Sequence, residues 1–593
     1  MIKKFFSGQI NSITIAAVLI AASSLLSRIL GVFRDRILAG EFGAGDTLDI
    51  YYAAFRVPDL IFNLLILGAL SAGFIPIFTR LIKISPCPPL NKEGKVSPQS
   101  SPYQREEENS PRPLSVRVSQ WPVCLQLSKA MSGRQAGPLL KGAGMEAWEL
   151  ASNILNILGA GLVVLCGLGV IFAPALMKII TPGFSGEKMD LTIALARIMF
   201  LSPIFLGLSS VFGGILQSCK RFFIYSLAPI FYNVGIIIGA LYFVPLWGIY
   251  GLAWGVVLGA FMHMAAQMPA VWQIGFRYSF IFNFKEKSVR EIWRMMIPRT
   301  MSLAVAQINL VVLTIIASTM AAGSLAVFNF ANNLQIFPVG IIGISFAIAA
   351  FPSLASAAFE RKKLIYNFSS VARQILFFIV PATVLILTLR AQIIRVVLGT
   401  GQFDWNDTVL TLDTLGFFAL SLFAQSLIPL LVRVFYARHD SRTPFFIGLA
   451  TAAANVVLSL WLGKKMGVAG LALAFSIANI TNFIVLWLTL RFKIEGLDEA
   501  RILKSAFKFS LAAITAGGAI QLLKGAIVHF ADMTKLWGVF AQGALAGTAG
   551  ILVYVFICYI LKSEELFNFA AAVRRRLRGA KVEAEDRGEA RGI

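Results

Sequence analysis

The chain has 593 residues, of which 57% are hydrophobic and 14% are charged, and its mean hydropathy is +0.75. About 25% of the residues in a soluble domain are charged, so this composition excludes a soluble globular protein and indicates many membrane crossings. The net charge of +23 implies no nucleic-acid partner, because Lys and Arg accumulate in the cytoplasmic loops of membrane proteins and attract anionic lipids.

Fourteen apolar segments each approach the roughly 20 residues that span a bilayer. The first begins after Lys3 and Lys4, as a secretory signal would, but it continues through Arg28, so we interpret it as a retained helix. A cytoplasmic N-terminus puts most of the 53 Lys and Arg residues, including the run from Arg574 to Arg578, in cytoplasmic segments. Both termini are therefore predicted to be cytoplasmic. The segment centres lie near residues 25, 65, 162, 203, 233, 260, 308, 338, 378, 422, 455, 481, 513 and 549.

The first two spans carry charges at unusual depth, namely Arg28, Arg34, Asp35, Asp49, Arg56 and Asp59. An Arg or Asp at the centre of a span costs roughly 2.5–3.5 kcal/mol, so such residues face a protein interior or water rather than lipid. On a helix, one stripe about 80° wide holds the polar residues of the second span. These are Asp49, Tyr52, Arg56, Asp59 and Asn63. Two or three guanidinium groups converging on one cavity suit a polyphosphate, which Arg binds in a bidentate manner.

Each of these polar residues also has a purely structural interpretation. Arg56 and Asp59, at i and i+3, would neutralise each other. Arg34 and Arg36 would extend to the membrane interface. The amides of later spans would hydrogen-bond one helix to another. Those amides are Gln267, Gln307, Asn309, Asn329, Asn332 and Asn333.

Residues 85–145 interrupt the apolar pattern with a polar stretch rich in Pro and Ser. Such a composition cannot bury a core and predicts a disordered cytoplasmic insertion, with a docking role as the alternative.

The remainder of the chain repeats. Asp49–Pro76 overlays Ser324–Pro352, the segment ending at Asn233 overlays the one ending at Asn455, and GIYGLA from Gly248 overlays GVAGLA from Gly467. The spacing between matches shortens by roughly the length of the polar insertion, which is present in the first half alone. Because six spans per half is an even number, both halves keep one orientation and leave a substrate cavity between two lobes.

We therefore predict an all-α polytopic membrane protein with about fourteen transmembrane helices. Two six-helix lobes are related by a parallel pseudo-repeat and flank a central cavity, and two C-terminal helices follow. The predicted boundaries are 1–84 and 146–275 for the N-terminal lobe, 85–145 for the insertion, 288–493 for the C-terminal lobe, 500–562 for helices 13 and 14, and 563–593 for a basic, polar cytoplasmic tail.

No enzymatic motif accompanies this architecture. The five cysteines are scattered and form no C-x-x-C pair, so neither a disulfide framework nor a metal site is predicted. The chain contains no HExxH, Walker loop, GxSxG or Asp-x-Asp sequence. We predict a transporter without cofactor or covalent chemistry.

The string SRILGVFRDR, followed by FGAGDTLDIYYAAFRVPD and GALSAGFIP, resembles the opening signature of the MurJ/MviN family, the lipid II flippases of the multidrug/oligosaccharidyl-lipid/polysaccharide exporter superfamily. The similarity continues over nearly the whole chain except the insertion and the tail. Further matches are TPGF at 181–184, RF and APxxxN between Arg221 and Asn233, QMP at 267–269, the segment Phe337–Leu354, and TP at 443–444.

The resemblance implies alternating access between two lobes and a cationic cavity that takes the pyrophosphate of the undecaprenyl-linked peptidoglycan precursor. Arg28, Arg34, Asp49 and Arg56 match family positions important for flipping. This chain lacks other charges that the family carries. Phe62 and Asn63 stand where the family has two Arg residues, and Leu67 stands where it has a Glu. Asn332 and Asn333 stand where the family has an Asp-Arg pair. The expected substrate-binding set is Arg28, Arg34, Asp49, Arg56, Asp59, Asn63, Asn332 and Asn333.

The sequence therefore predicts a multi-pass protein of the bacterial cytoplasmic membrane that flips lipid-linked peptidoglycan precursor for cell-wall synthesis. Its expected partners are that precursor and membrane lipids, with cell-wall synthesis enzymes as further candidates. The alternatives are a flippase for another polyprenyl-pyrophosphate glycan, a cation-coupled drug exporter of the same superfamily, and a non-transporting cell-wall scaffold.

Overall fold

A computed structural model describes residues 13–64, 71–83 and 136–577, and within them the chain is helical with no β-strand. The N-terminal half contains α1 (Ile13–Phe42), α2 (Asp46–Ile61), α3 (Ser71–Lys83), α4 (Ala136–Ile171), α5 (Ala173–Ile180), α6 (Gly186–Met199), α7 (Ser202–Ser218), α8 (Phe222–Ile238), α9 (Val244–Trp247), α10 (Tyr250–Ala265) and α11 (Met268–Gln273). The C-terminal half contains α12 (Lys287–Ser318), α13 (Ser324–Pro338), α14 (Ser345–Ser356), α15 (Arg361–Val397), α16 (Trp405–Ala419), α17 (Leu422–Ala437) and α18 (Arg442–Ile494). The chain continues with α19 (Glu499–Val528), α20 (Leu536–Ile560) and α21 (Glu564–Leu577).

The all-helical membrane fold is confirmed, whereas the number fourteen stays a prediction. Among the described residues, 9 helices are long and apolar enough to cross a membrane, or 10 if the bent pair α16 and α17 forms one span. The predicted centre near residue 65 lies outside the described residues, and every other predicted centre falls within a helix. Two of these centres share α18, which is interrupted by the non-helical Gly467.

Two predicted irregular segments are partly helical. Residues 84–135 lie outside the described part, but α4 begins at Ala136 and so includes 136–145 of the expected insertion. The expected polar tail begins with α21, an amphipathic helix.

Backbone geometry supports the predicted repeat. Gly248 (φ 57°, ψ −144°) and Gly467 (φ 60°, ψ −142°) occupy matched positions in nearly the same conformation. Lys220 and His439, at the ends of α7 and α17, both adopt the left-handed conformation, with φ of 59° and 60°. The two halves therefore turn the chain in the same way at corresponding points.

One large hydrophobic cluster joins the two halves. It contains Leu48 of α2, Leu325 of α13 and Leu415 of α16, which are at most 1% exposed. The N-terminal half has a further cluster around Phe74 and Phe78, and the C-terminal half has its own. The halves are thus packed together where α2 and α13 begin.

Candidate substrate site and the closure between the halves

Asp49, near the start of α2, binds the amino end of α13 in the opposite half. Its carboxylate accepts hydrogen bonds from the backbone N–H groups of Gly323 at 2.8 Å and Ala326 at 2.9 Å. The first N–H groups of a helix lack partners within the helix and carry partial positive charge, so they stabilise an anion. Gly323 has φ 83°, and a Cβ on it would lie 1.7 Å from the Ala44 carbonyl oxygen, so this approach requires glycine. Asp49 therefore joins the halves and does not line the cavity described below.

A second set of contacts joins residues at the α1–α2 junction to residues at the junction of α15 and α16. The Ala44 N–H donates to Asp407 Oδ2 at 2.8 Å, and the Gln402 N–H donates to the Gly40 carbonyl at 2.8 Å. Arg36 donates to a carbonyl at the carboxyl end of α15, where helix carbonyls lack partners. These contacts and Asp49 close one end of the bundle, the end that the distribution of Lys and Arg predicts to be external.

Arg34 and Asp35 form the centre of a polar cluster that also connects the halves. Arg34 donates to Asp35 Oδ1 at 2.7 Å through Nη2 and to Asn233 Oδ1 at 3.1 Å through Nη1. The other carboxylate oxygen of Asp35 accepts from Asn333 Nδ2 at 2.9 Å. Arg34, expected to bind substrate, is therefore ion-paired, and Asn333 contributes by holding its partner.

Arg56 of α2 has incomplete partners. Its Nη2 lies 3.4 Å from Asn329 Oδ1, a long hydrogen bond, and its buried Nε has no partner. The Tyr52 hydroxyl, one turn earlier, is also buried without a partner. Within the described residues, no ion pair of 4 Å or less joins Arg56 to Asp59, so the two opposite charges attract each other over a longer distance.

Arg28 of α1 extends to the opposite half. A Cβ added at Gly340 would lie 2.5 Å from Arg28 Nη2, so the guanidinium occupies the space that this glycine leaves open. Gly340 belongs to a π-helical segment, Val339–Ile344, that follows α13. Among the described residues, Arg28 makes no hydrogen bond or ion pair, although it is only partly exposed. A half-buried guanidinium without a protein partner is a candidate for binding an anion.

Arg28 and Asp59 lie in the wall of a cavity of about 600 Å³. The other six expected residues do not line it: Arg34, Asp49, Arg56, Asn63, Asn332 and Asn333. Asn63 donates to the Asp59 carbonyl of its own helix at 3.0 Å, and Asn332 accepts from Gln335 at 3.0 Å. The structure therefore places two of the expected residues in the cavity wall, Arg34 and Asn333 in the polar cluster and Asp49 at the closed end, and it places the other three in none of these.

Several contributors were not predicted from the sequence as site residues. Asp407 gave no signal beyond being polar, whereas Asn233 ended a repeat match and an APxxxN motif without being expected in the site. Gln267 was expected to join helices, and it does, by donating to Ser209 Oγ of α7 at 2.6 Å. Asn309 likewise joins helices by accepting from Asn455 at 3.1 Å.

Known proteins resemble this chain over most of its length. A family profile described as "Lipid II flippase MurJ" matches residues 38–87 and 140–541. A protein of Thermotoga maritima named "Probable lipid II flippase MurJ" is 28% identical over 92% of this chain and 95% of its own length. A protein of Burkholderia cenocepacia named "Lipid II flippase MurJ" is 24% identical over 80% of this chain and 83% of its own.

Solved structures share the fold. The structure titled "Lipid II flippase MurJ, inward closed conformation" superposes with a TM-score of 0.69 at 23% identity, covering 92% of this chain and 98% of the other. An inward-facing multidrug resistance transporter of the MATE family gives a TM-score of 0.59 at 18% identity, covering 80% of this chain and 96% of its own. At these identities the likeness concerns architecture alone.

Proposed function

The chain belongs to the MurJ family of lipid II flippases, and on that premise we propose that it moves lipid-linked peptidoglycan precursor from the inner to the outer leaflet of the bacterial cytoplasmic membrane. The lobes would alternate between a conformation open to the cytoplasm and one open to the outside. Binding and conformational change suffice for this function, and no covalent step is proposed.

The proposal depends mainly on the position of Arg28 and its lack of a protein partner. Arg28 lines the cavity, and its guanidinium contacts Gly340 of the opposite half and has no partner among the described residues. Placing a cation in a span costs roughly 2.5–3.5 kcal/mol, and a ligand anion would offset that cost. A pyrophosphate suits this position, because Arg binds phosphate oxygens in a bidentate manner.

Arg56 does not line the cavity in this conformation, so it would supply a second contact to the same anion after the lobes move. Its unpartnered Nε and the unpartnered Tyr52 hydroxyl are donors on one stripe of α2. A buried donor without an acceptor costs about 1–3 kcal/mol, so both groups favour an arriving acceptor. Arg34, whose charge is balanced by Asp35, would position α1 against α8 and α13 instead of binding substrate directly.

Asp49 would act in the conformational change. Both of its oxygens bind the amino end of α13, and the halves cannot separate at this end unless those two hydrogen bonds break. We assign Asp49 to a latch that holds the external end shut while the cavity loads from the cytoplasm. Asp407, which accepts from the Ala44 N–H, would reinforce this latch.

Complementation tests the function. The chain is expressed in a bacterium depleted of its own lipid II flippase, and translocation of the precursor is measured by a leaflet assay. We expect growth and translocation from the natural chain and loss of both from Arg28→Ala at unchanged membrane abundance. The matched control is Arg197→Ala, since Arg197 donates only to the Val170 carbonyl at 3.3 Å and lies outside the cavity.

Growth without translocation would contradict the proposal and favour a scaffold that recruits cell-wall enzymes. Translocation that survives Arg28→Ala would leave the family function intact but remove this residue from the binding site.

A further inference from the structure

The connection between the two halves carries an exposed row of aromatic rings. Between α11 and α12 the chain is not helical, and every second residue from 278 to 284 is aromatic and 45–81% exposed. Adjacent rings contact one another, with centroids 6.2 Å apart for Phe280 and Phe282 and 5.7 Å apart for Phe282 and Phe284. We call residues 278–284 the aromatic segment. A contiguous apolar surface of this kind marks an interaction site.

Side chains of α4 hold the backbone of the aromatic segment. Asn153 accepts from the Asn283 N–H at 2.9 Å and donates to the Asn283 carbonyl at 2.9 Å. Asn156 donates to the Ile281 carbonyl at 2.9 Å. Backbone that is not helical needs partners of this kind for its polar groups at membrane depth. These bonds fix the segment against α4 and leave its rings exposed.

The contacts with α4 also set the depth of the aromatic segment in the bilayer. The apolar span of α4 runs from Glu146 to Ile171, and its 26 residues are about 39 Å long. This length is close to the roughly 40–45 Å of a bilayer with its headgroups. Asn153 lies two turns after Glu146, about 10 Å from the end of the span that is predicted to be cytoplasmic. The aromatic segment therefore lies where headgroups meet hydrocarbon, the depth at which aromatic belts form.

Basic residues adjoin the aromatic segment at the start of α12. Lys287, Arg290 and Arg294 recur at i, i+3 and i+7, so they share one face of the helix, which we call the basic stripe. All three are exposed, and none forms an ion pair within the described residues. The neighbouring carboxylates are engaged elsewhere, since Glu286 is bonded to α4 and Glu291 to α3. The positive charge of the stripe is therefore available to an anionic partner.

We propose that the aromatic segment and the basic stripe together bind anionic phospholipids of the cytoplasmic leaflet. The rings lie among the glycerol and upper acyl groups, and the stripe binds headgroup phosphates, because each Lys or Arg near an anionic leaflet adds to the attraction. Depth favours lipid over a soluble protein, since lipid already fills the layer in which the rings lie. The site involves neither Arg28 nor the transported substrate, so it does not depend on the proposed function.

The depth of the rings can be measured with a spin label. In a full-length chain whose native cysteines are replaced by Ala, Phe280→Cys is labelled and reconstituted into vesicles of phosphatidylcholine and phosphatidylglycerol. Lys362→Cys, an exposed position in the first turn of α15, is the control. We expect the ratio of oxygen accessibility to nickel-chelate accessibility to be higher at residue 280 than at residue 362. An equal or lower ratio at residue 280 would overturn the proposal and leave the row of rings to a soluble protein partner.

The contribution of charge is tested with phosphatidylglycerol and uncharged phosphatidylcholine as probes, by measuring their affinity for the detergent-solubilised full-length protein. We expect the triple variant Lys287→Gln, Arg290→Gln, Arg294→Gln to weaken phosphatidylglycerol binding by at least about tenfold and to leave phosphatidylcholine binding unchanged.

The matched control removes three exposed cations from the predicted cytoplasmic ends of other helices, with the substitutions Lys362→Gln, Arg442→Gln and Lys504→Gln. It should change phosphatidylglycerol binding by less than about twofold. Equal losses in the two triple variants would show diffuse attraction to the whole basic surface and overturn the proposal, as would unchanged binding in the basic-stripe variant. Thermal unfolding checks that both variants remain folded, and the spin-label measurement on Phe280→Cys does not require either of them.

Discussion

Arg28 and Arg34 lie on the same helix, but only the charge of Arg34 is balanced by a neighbouring carboxylate. Arg34 is ion-paired with Asp35 and bonded to Asn233, so a phosphate arriving there would compete with a carboxylate already in place. Arg28 has no such competitor among the described residues, and its neighbour Gly340 presents no side chain. We therefore expect substitutions at Arg28 to weaken substrate binding, and substitutions at Arg34 to disturb the packing of α1 against α8 and α13.

Arg56 allows a sharper test of binding against structure. Arg56→Ala should abolish flipping while the protein still accumulates in the membrane, because its guanidinium is almost unpartnered within the protein. Arg56→Lys should restore only part of the activity, since an ammonium keeps the charge but loses the bidentate geometry. The measurement is the leaflet assay, with membrane abundance determined in parallel.

The double variant Arg56→Ala, Asp59→Ala tests the alternative that Arg56 is a structural partner of Asp59. If Arg56 mainly neutralises Asp59, the single variant should be unstable and the double variant should recover both stability and flipping. A stable but inactive double variant is the result we expect.

The sequence was sufficient to locate these charges but not their partners. Helical periodicity put Tyr52 and Arg56 on one stripe of α2, because that relation depends only on the helix. The pairing of Asp35 with Asn333 depends on how distant segments pack, which periodicity does not encode. The partners of Asp49 are backbone N–H groups, which every residue type except proline has, so nothing in the sequence marks them.

At the scale of the helices, the apolar pattern predicted where spans are centred but not where they break. Gly467 interrupts α18, and its counterpart Gly248 ends α9, both with a positive φ that disfavours side chains.

The tail was predicted from its basic residues, yet it begins with α21, whose first turn is anchored in the protein. Glu565 there is 5% exposed and pairs with Arg373 of α15, also buried.

The two matched glycines should be intolerant of side chains for conformational reasons alone. An added Cβ meets nothing within 4 Å at Gly248 or Gly467, so Gly248→Ala and Gly467→Ala should each destabilise by about 1–3 kcal/mol through backbone strain. Gly448 is the control, because it lies inside α18 with equal space and no positive φ. Gly448→Ala should be neutral or stabilising by up to roughly 1 kcal/mol. Thermal unfolding in detergent measures all three, and equal effects would contradict a special conformation.

The anchor of α21 can be tested with two neighbouring carboxylates. Glu565→Gln removes the buried charged partner of Arg373 and leaves the exposed Glu564 as its counter-charge, so it should destabilise by about 1.5–3 kcal/mol, the worth of a hydrogen bond to a charged group. Glu564→Gln removes a 58% exposed carboxylate that contacts Arg373 at 3.3 Å and Arg501 at 2.7 Å, and should cost less than about 1 kcal/mol. Thermal unfolding compares the two, and a larger effect at Glu564 would show that the exposed network holds the helix.

At the scale of the whole molecule, the halves are joined by hydrogen bonds at one end. The latch of Asp49, the Ala44–Asp407 bond and the Gly40–Gln402 bond all lie at the helix ends and connecting loops of that end. A repeat that relates two similar halves cannot by itself specify which end is shut, because both ends are built from matching elements. The sequence therefore predicted two lobes and a cavity, while the closed end emerged only from the packing.

The orientation of this closed end in the membrane has a direct test. A cysteine introduced at Gly45, or at Ala322 in the exposed loop before α13, should react with an impermeant thiol reagent added from outside. Native Cys87 and Cys124, in the predicted cytoplasmic insertion, should react only after the membrane is permeabilised. The reverse pattern would invert the proposed direction of transport.

Covalent closure of the same end tests alternating access itself. The Gly45 backbone nitrogen lies 3.5 Å from where a Cβ on Gly323 would stand, so Gly45→Cys and Ala322→Cys lie within reach of a short cleavable cross-linker. In a chain whose native cysteines are replaced by Ala, cross-linking this pair should stop flipping, and cleaving the linker should restore it. The halves would otherwise have to separate here to release the precursor outside.

The control for this experiment links two helices of one half. Asp46 of α2 and Lys188 of α6 form an ion pair within the N-terminal half, so Asp46→Cys with Lys188→Cys tests the chemistry without tying the lobes together. Because Lys188 also lies 3.6 Å from Asp49, the reference is the doubly substituted protein before cross-linking. Flipping should survive cross-linking of this pair, provided that the two substitutions alone preserve activity. Continued flipping by the fully cross-linked Gly45→Cys, Ala322→Cys protein would mean that the precursor leaves without opening of this end. The latch assigned to Asp49 would then be a static packing contact.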